Sequence, residues 1–157
     1  EHGGNMDCNP VRAGACVCFR VNTPGAGFGI GDVHAVMGDG ETGGQGVEAA
    51  ATVRFRIRLV EGFPIPGPYG LCEGRFYTIG FGADLDGAAE MAQTAMADVL
   101  VHLGEPAGTI ARKFLGAAAD LRVCWRGGPV AVARMELPLA HVRPSVSEHV
   151  RQRIGRT

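Results

Sequence analysis

A mixed α+β fold is predicted, with a β-rich, sandwich-like sheet portion leading into a helical hairpin and then a β-hairpin. Three observations predict it. Apolar and polar residues alternate over 15–21 and 53–60, helical periodicity is confined to residues after 84, and 12 of the 25 glycines fall in the first 46 positions, where backbone must turn tightly. A chain of 157 residues has room for one domain with a sizeable core, or two small lobes sharing one.

Over 15–21, Ala15, Val17, Phe19 and Val21 share one face while Cys16, Cys18 and Arg20 take the other, as a half-buried strand requires. Residues 24–46 read as short extended pieces and turns. The clearest strand pattern is 53–60, with Val53, Phe55, Ile57 and Leu59 toward a core and Arg54, Arg56 and Arg58 toward solvent or a neighbouring subunit. EGFPIPGPYG, residues 61–70, has three prolines within five positions and is excluded as a central strand; it reads as a rigid connection or a lip over a site. Residues 75–81 read as a further strand. Asp84 or Asp86 can cap a helix whose apolar positions are Ala92, Ala95, Met96, Val99, Leu100 and Leu103, and Gly104 ends it. Pro106 suits the first turn of a second helix, with Ile110, Ala111, Phe114, Leu115 and Ala118 on its stripe. Residues 121–125 and 130–137 form strands around Gly127 and Gly128. From His141 onward the chain is basic and reads as a surface helix or a frayed end. The expected organisation is a body of residues 1–140, β-rich to 82 and α/β from 83, followed by a tail at 141–157.

Composition narrows the function. With 46% hydrophobic and 20% charged residues, the chain is of globular type. Fifteen basic against sixteen acidic residues argue against a nucleic-acid partner, whose binding rests on phosphate neutralisation. No apolar run approaches the ~20 residues a membrane span needs, and no leader is legible, so the cytoplasm is the expected compartment. The five cysteines lack a metal-finger spacing and read as reduced, mostly buried thiols.

Acidity is concentrated at the front, where residues 1–48 hold Glu1, Asp7, Asp32, Asp39, Glu41 and Glu48 against Arg12 and Arg20. Within it stand HGGNMD (2–7) and GDVHAVMGDGE (31–41). In a strand Asp32 and His34 point the same way, as do Asp39 and Glu41, so carboxylates and imidazole can converge on one centre. Imidazole nitrogen with carboxylate oxygen suits zinc, and an oxygen-rich version suits calcium. Asp and Asn beside Gly are equally standard turn residues, but His2 and His34 gathered with five of these six carboxylates form a costly cluster without a cation. GAGFGIG (25–31) is followed by no helix pattern and is discounted as a phosphate loop.

EHGGNMD at 1–7 and GDVHAVMGDGE at 31–41 resemble the two signature stretches of the acetamidase/formamidase family of amide hydrolases. The resemblance continues through YTIGFGADLDGAAEMAQTAMADVL (77–100) into AADLRVCW (118–125). It implies hydrolysis of a small linear amide to carboxylate and ammonia with a divalent metal, zinc or calcium. It also implies a β-rich fold with a smaller α/β portion, and oligomers. Carried over by position, His2, Asp7, Asp32, His34 and Asp39 are the expected metal-binding set, and Asn5, Glu41 and Glu48 the expected catalytic groups. On this reading Glu48 or Glu41 moves the proton; Cys8 as a thiolate nucleophile is the lesser alternative. Relatives carry a further β-rich portion ahead of the first signature. The expected partners are therefore a small amide together with further copies of the chain or a second chain supplying that portion. A non-catalytic, ligand-binding subunit of a larger assembly is the alternative function.

Overall fold

The computed structural model describes residues 4–62, 67–105 and 109–155. His2, part of the proline-rich segment, and Pro106, expected in the first turn of the second helix, lie outside the described residues. The fold is α+β, as expected. Its centre is a five-stranded antiparallel sheet in the order β1 (Cys16–Cys18), β4 (Tyr69–Cys72), β5 (Arg75–Gly82), β7 (Ala131–Pro138), β6 (Asp120–Trp125). A separate two-stranded sheet pairs β2 (His34–Val36) with β3 (Val47–Glu48).

Strand alternation divides the sheet's two faces between different jobs. Phe76, Thr78 and Gly80 of β5 face α1 (Leu85–His102), and Met135 and Leu137 of β7 fall in the same cluster with Met96, Val99 and Leu100. The α1 N-terminus is fixed by Asp84, whose Oδ1 accepts from Gly87 N at 2.8 Å. Helix and sheet approach closely at Gly80: a Cβ there would overlap Ala88 O and Ala92 N, both backbone atoms that cannot step aside. Thr78 Oγ1 donates to Ala92 O at 2.7 Å across the same contact. α2 (Thr109–Ala118) adds Leu115 to this core, and the expected helical hairpin is present.

Two expectations are corrected. Of the two forms expected for the tail the helix is present, but α3 (Pro144–Ile154) is not a surface element, because it buries Val146, Val150 and Ile154 in the same core. These lie four residues apart on one helix face, so the basic residues between them occupy the opposite side. Residues 53–60, which have the clearest strand pattern in the sequence, pair with no strand among the described residues and leave Val53, Phe55, Ile57 and Leu59 exposed. The strand expected at 15–21 is likewise reduced to Cys16–Cys18. No helix among the described residues is long and apolar enough to cross a membrane.

The other sheet face holds Tyr77 and Ile79 of β5, Val132 of β7 and Cys124 of β6, covered by Met6, Cys8 and Ala15. Arg134 and Glu136 lie on that face too, so the front of the chain reaches the sheet through both apolar and ionic contacts. Gly80→Ala should cost about 3 kcal/mol by urea unfolding, because α1 must lift from the sheet to admit the methyl group. An unchanged midpoint would refute the close helix–sheet contact.

Candidate metal and catalytic site

The segment carrying residues 38–41 is seated on the sheet by a bulge. β6 and β7 run in regular register from Asp120↔Glu136 to Val123↔Ala133 and then slip, so that Trp125 stands opposite Val132. Cys124 is the extra residue. It is fully buried, its carbonyl accepts from Gly40 N at 3.2 Å, and Gly40 bridges Trp125 in parallel sense. Bulges bend an edge strand and re-aim what attaches to it; here Gly38–Glu41 gains a fixed backbone seat.

Asp39 adds the side-chain anchor. Arg134, only 4% exposed, donates to it twice, Nη1 to Oδ1 at 2.9 Å and Nη2 to Oδ2 at 2.7 Å. Its Nε donates to Glu136 Oε1 at 2.5 Å, Glu136 Oε2 accepts from Arg75 Nε at 2.9 Å, and Arg75 also pairs with Asp120. Asn9 Nδ2 donates to Asp39 Oδ1 at 2.6 Å. Burial alone would raise the Asp39 pKa, but the hydrogen bonds from Arg134 and Asn9 outweigh it and hold the carboxyl below its ordinary value. Asp39, expected among the metal ligands, is thus engaged as the clamp of its loop, with both carboxylate oxygens on Arg134.

The remaining described candidates converge on His34. This residue opens β2 opposite Glu48 in β3, and its side chain is 10% exposed. Its Nε2 lies 3.3 Å from Glu48 Oε1 and 3.5 Å from Asp32 Oδ1, and its Nδ1 lies 3.2 Å from Met37 Sδ. The ring rests on Gly46, where a Cβ would come within 2.7 Å of His34 Cγ. Asp7, His34 and Glu41 each offer a ligand atom within 4.8 Å of the others, and Asp32, His34 and Glu48 do the same. With the Asn5 carboxamide assigned so that its nitrogen rather than its oxygen faces these carboxylates, it donates to Asp7 Oδ2 at 3.0 Å and to Asp32 Oδ2 at 3.2 Å.

The backbone is strained at the same place. Asp7, Asp32 and Glu41 have φ of 42°, 57° and 40°, three of the four non-glycine residues with positive φ among those described. Each such conformation costs ~1 kcal/mol or more and persists only where the surroundings impose it. Electrostatics point the same way. Burial, then the charges of Glu41 and Asp32, raises the Asp7 pKa. At His34 burial alone would lower the pKa, but the hydrogen bond and charge of Glu48, with Asp32 and Glu41, outweigh it and raise the value above 6.5. The surrounding carboxylates thus favour the imidazolium more than in a free histidine. Its stabilising contribution is full below His34's ordinary pKa and is lost as pH rises through the folded value.

An imidazole ringed by excess carboxylate fits a divalent cation: nitrogen and oxygen donors are present in the combination zinc accepts, and the oxygen excess suits calcium. Beside the cluster, Asn9, Met37, Asp39, Tyr77, Arg134 and Glu136 help line a cavity of about 340 Å³. Cys8 does not suit a nucleophile. It is 6% exposed, its sulfur lies 3.3 Å from that of Cys124, and that contact, then burial, pushes its thiol pKa well up. Sequence reasoning missed Asn9, Met37, Gly46, Arg134 and Glu136. Of these, Arg134 and Glu136 left a signal: opposite charges two positions apart inside an otherwise apolar strand.

Residues 1–98 match the model of the acetamidase/formamidase family. Over 62 residues, 39% of this chain and 15% of the other, the sequence is 36% identical to a Schizosaccharomyces pombe protein named a formamidase. A crystal structure described as a predicted acetamidase/formamidase from the thermophile Thermoanaerobacter tengcongensis superposes with a TM-score of 0.83 at 31% identity, covering 86% of this chain and 45% of that one. An acetamidase from Bacillus halodurans gives 0.85 at 35% identity, covering 89% and 48%. The chain thus spans just under half the length of each of these solved relatives.

Arg134→Met leaves Asp39 and Glu136 without their shared cation and should cost about 3–5 kcal/mol by urea unfolding. Because Asp39 stabilises the fold as its carboxylate, its share is present above the unfolded pKa of ~3.9 and lost as acid protonates it, and the variant should lack that acid-labile component. Zinc titration by calorimetry should release a proton from His34, with affinity falling about tenfold per pH unit below that residue's pKa. A pH-independent affinity would remove His34 from the ligand set.

Proposed function

The chain belongs to the acetamidase/formamidase family, and from that premise we propose that it serves the hydrolysis of a short linear amide, formamide or acetamide in type, assisted by a divalent cation. The observation that carries this reading is the convergence of Asp7, Asp32, Glu41 and Glu48 on His34, with left-handed backbone at three of the four acids. His34 would hold the cation with Asp7, Asp32 and Glu41, leaving the exposed Glu48 beside it. Zinc is favoured by the imidazole and calcium by the number of oxygens. When bound, such an ion polarises a carbonyl and lowers the pKa of water toward ~7.

This chain's own groups supply the proton handling. Glu48, whose side chain is 65% exposed, can accept a proton from water and deliver it to the leaving nitrogen. Asn5 orients both Asp7 and Asp32 through one carboxamide. The cavity bounded by Met37, Asp39 and Arg134 adjoins this cluster and gives a small amide room.

Ammonia release from formamide and acetamide, with added zinc or calcium and with chelator, tests the reading. His34→Ala should abolish both ion binding and turnover, whereas Glu48→Gln should lower kcat by about 10²–10⁴ with KM little changed. Ion binding at one equivalent without ammonia from any short amide would set the hydrolase reading aside in favour of a ligand-binding subunit.

A further inference from the structure

The first 62 residues carry an apolar surface that no described part of the molecule covers. Of the sixteen large apolar side chains exposed among the described residues, ten lie between positions 19 and 59. Val53, Phe55, Ile57 and Leu59 are 39%, 54%, 66% and 70% exposed and alternate with Arg54, Arg56 and Arg58. Period-two alternation is the pattern of a strand with one apolar and one polar side, yet residues 50–60 join no ladder among the described residues. Patches of this kind on a soluble protein mark places where another polypeptide sits.

The surface is held in place. The rings of Phe28 and Phe55 meet at 4.9 Å between centroids, so the 53–59 arm rests on the glycine-rich segment that carries Phe28. Its far end is tied to α3, where Arg58 Nη2 donates to Arg153 O at 2.6 Å and Arg153 Nη1 donates to Glu61 O at 3.3 Å. Arg54 and Arg56 stand in no ion pair among the described residues, which leaves a basic edge beside the apolar one.

We infer that the 53–59 arm, with the exposed Phe19 and Val21, is the docking surface for a polypeptide equivalent to the part of the solved relatives that lies outside their match to this chain. Both relatives carry slightly more residues outside the match than within it, so in each of them a segment of that size accompanies the fold described here within one chain. The alternation calls for an extended segment added alongside, with apolar side chains toward Phe55 and Ile57 and acidic ones toward Arg54 and Arg56. The inference rests on the family and the exposed arm, not on the amide chemistry.

The test is co-expression of this chain with the portion of the Bacillus halodurans acetamidase that lies outside the match. A one-to-one complex is expected, with amide hydrogen exchange across 53–59 slowed about tenfold or more on its formation. The double variant Ile57→Asp, Leu59→Asp should lose the complex while keeping its own unfolding midpoint, since both side chains are exposed in the isolated chain. The inference is overturned by absence of a complex, by a complex the double variant retains, or by slow exchange across 53–59 in the isolated chain. The last outcome would mean that the arm folds onto its own molecule or, if light scattering reports a dimer, onto a second copy. Ammonia assays of the complex then judge the amide reading separately.

Discussion

The two-pronged contact between Arg134 and Asp39 is the constraint on which the site's arrangement depends. It joins a strand in the middle of the sheet to a loop that has little apolar weight of its own, across 95 positions of sequence. A buried guanidinium needs its donors met, and Arg134 meets them with Asp39 and Glu136 together, so the loop and the strand fix one another. With Asp39 engaged and Gly40 bonded to the Cys124 carbonyl, Glu41 is delivered to the neighbourhood of Asp7 and His34. The acid is buried, at 7% exposure, because its two predecessors are anchored.

That delivery concentrates like charge. Asp7, Asp32, Glu41 and Glu48 share one imidazole, and the direction of the Asp7 and His34 pKa values records the resulting pressure: both are raised. A protonated His34 relieves part of the repulsion and a divalent cation would relieve more, which makes ion and proton competitors for one place. Left-handed backbone at three acids is a further cost borne at the same point, consistent with a site whose geometry is set by function more than by folding.

Much of the fold was legible because its signals are local. The strands read at 75–81 and 130–137 and the capped, periodic helix after Asp84 all correspond to observed elements. Residues 53–60 show where local signals stop: alternation records what the side chains would accept, while a strand exists only when another offers it hydrogen bonds. The opposite error occurred at the C-terminal end, where three arginines between Val146 and Ile154 and just beyond them masked a four-residue apolar repeat. In the site, the carboxylates and His34 could be found from composition and spacing. The separate duty of Asp39 could not, because it is assigned by a partner 95 residues away, although the Arg134 and Glu136 pair within an apolar strand was a visible hint.

The slip at Cys124 has a consequence for variation in the sheet. Removing one residue between 121 and 125 would let β6 and β7 match rung for rung, a tidier ladder by every local criterion. The carbonyl that now meets Gly40 would then turn away, and the acidic loop would lose its footing while the core stayed intact. Changes that perfect this edge are thus the ones to expect in descendants that keep the shape and abandon the chemistry.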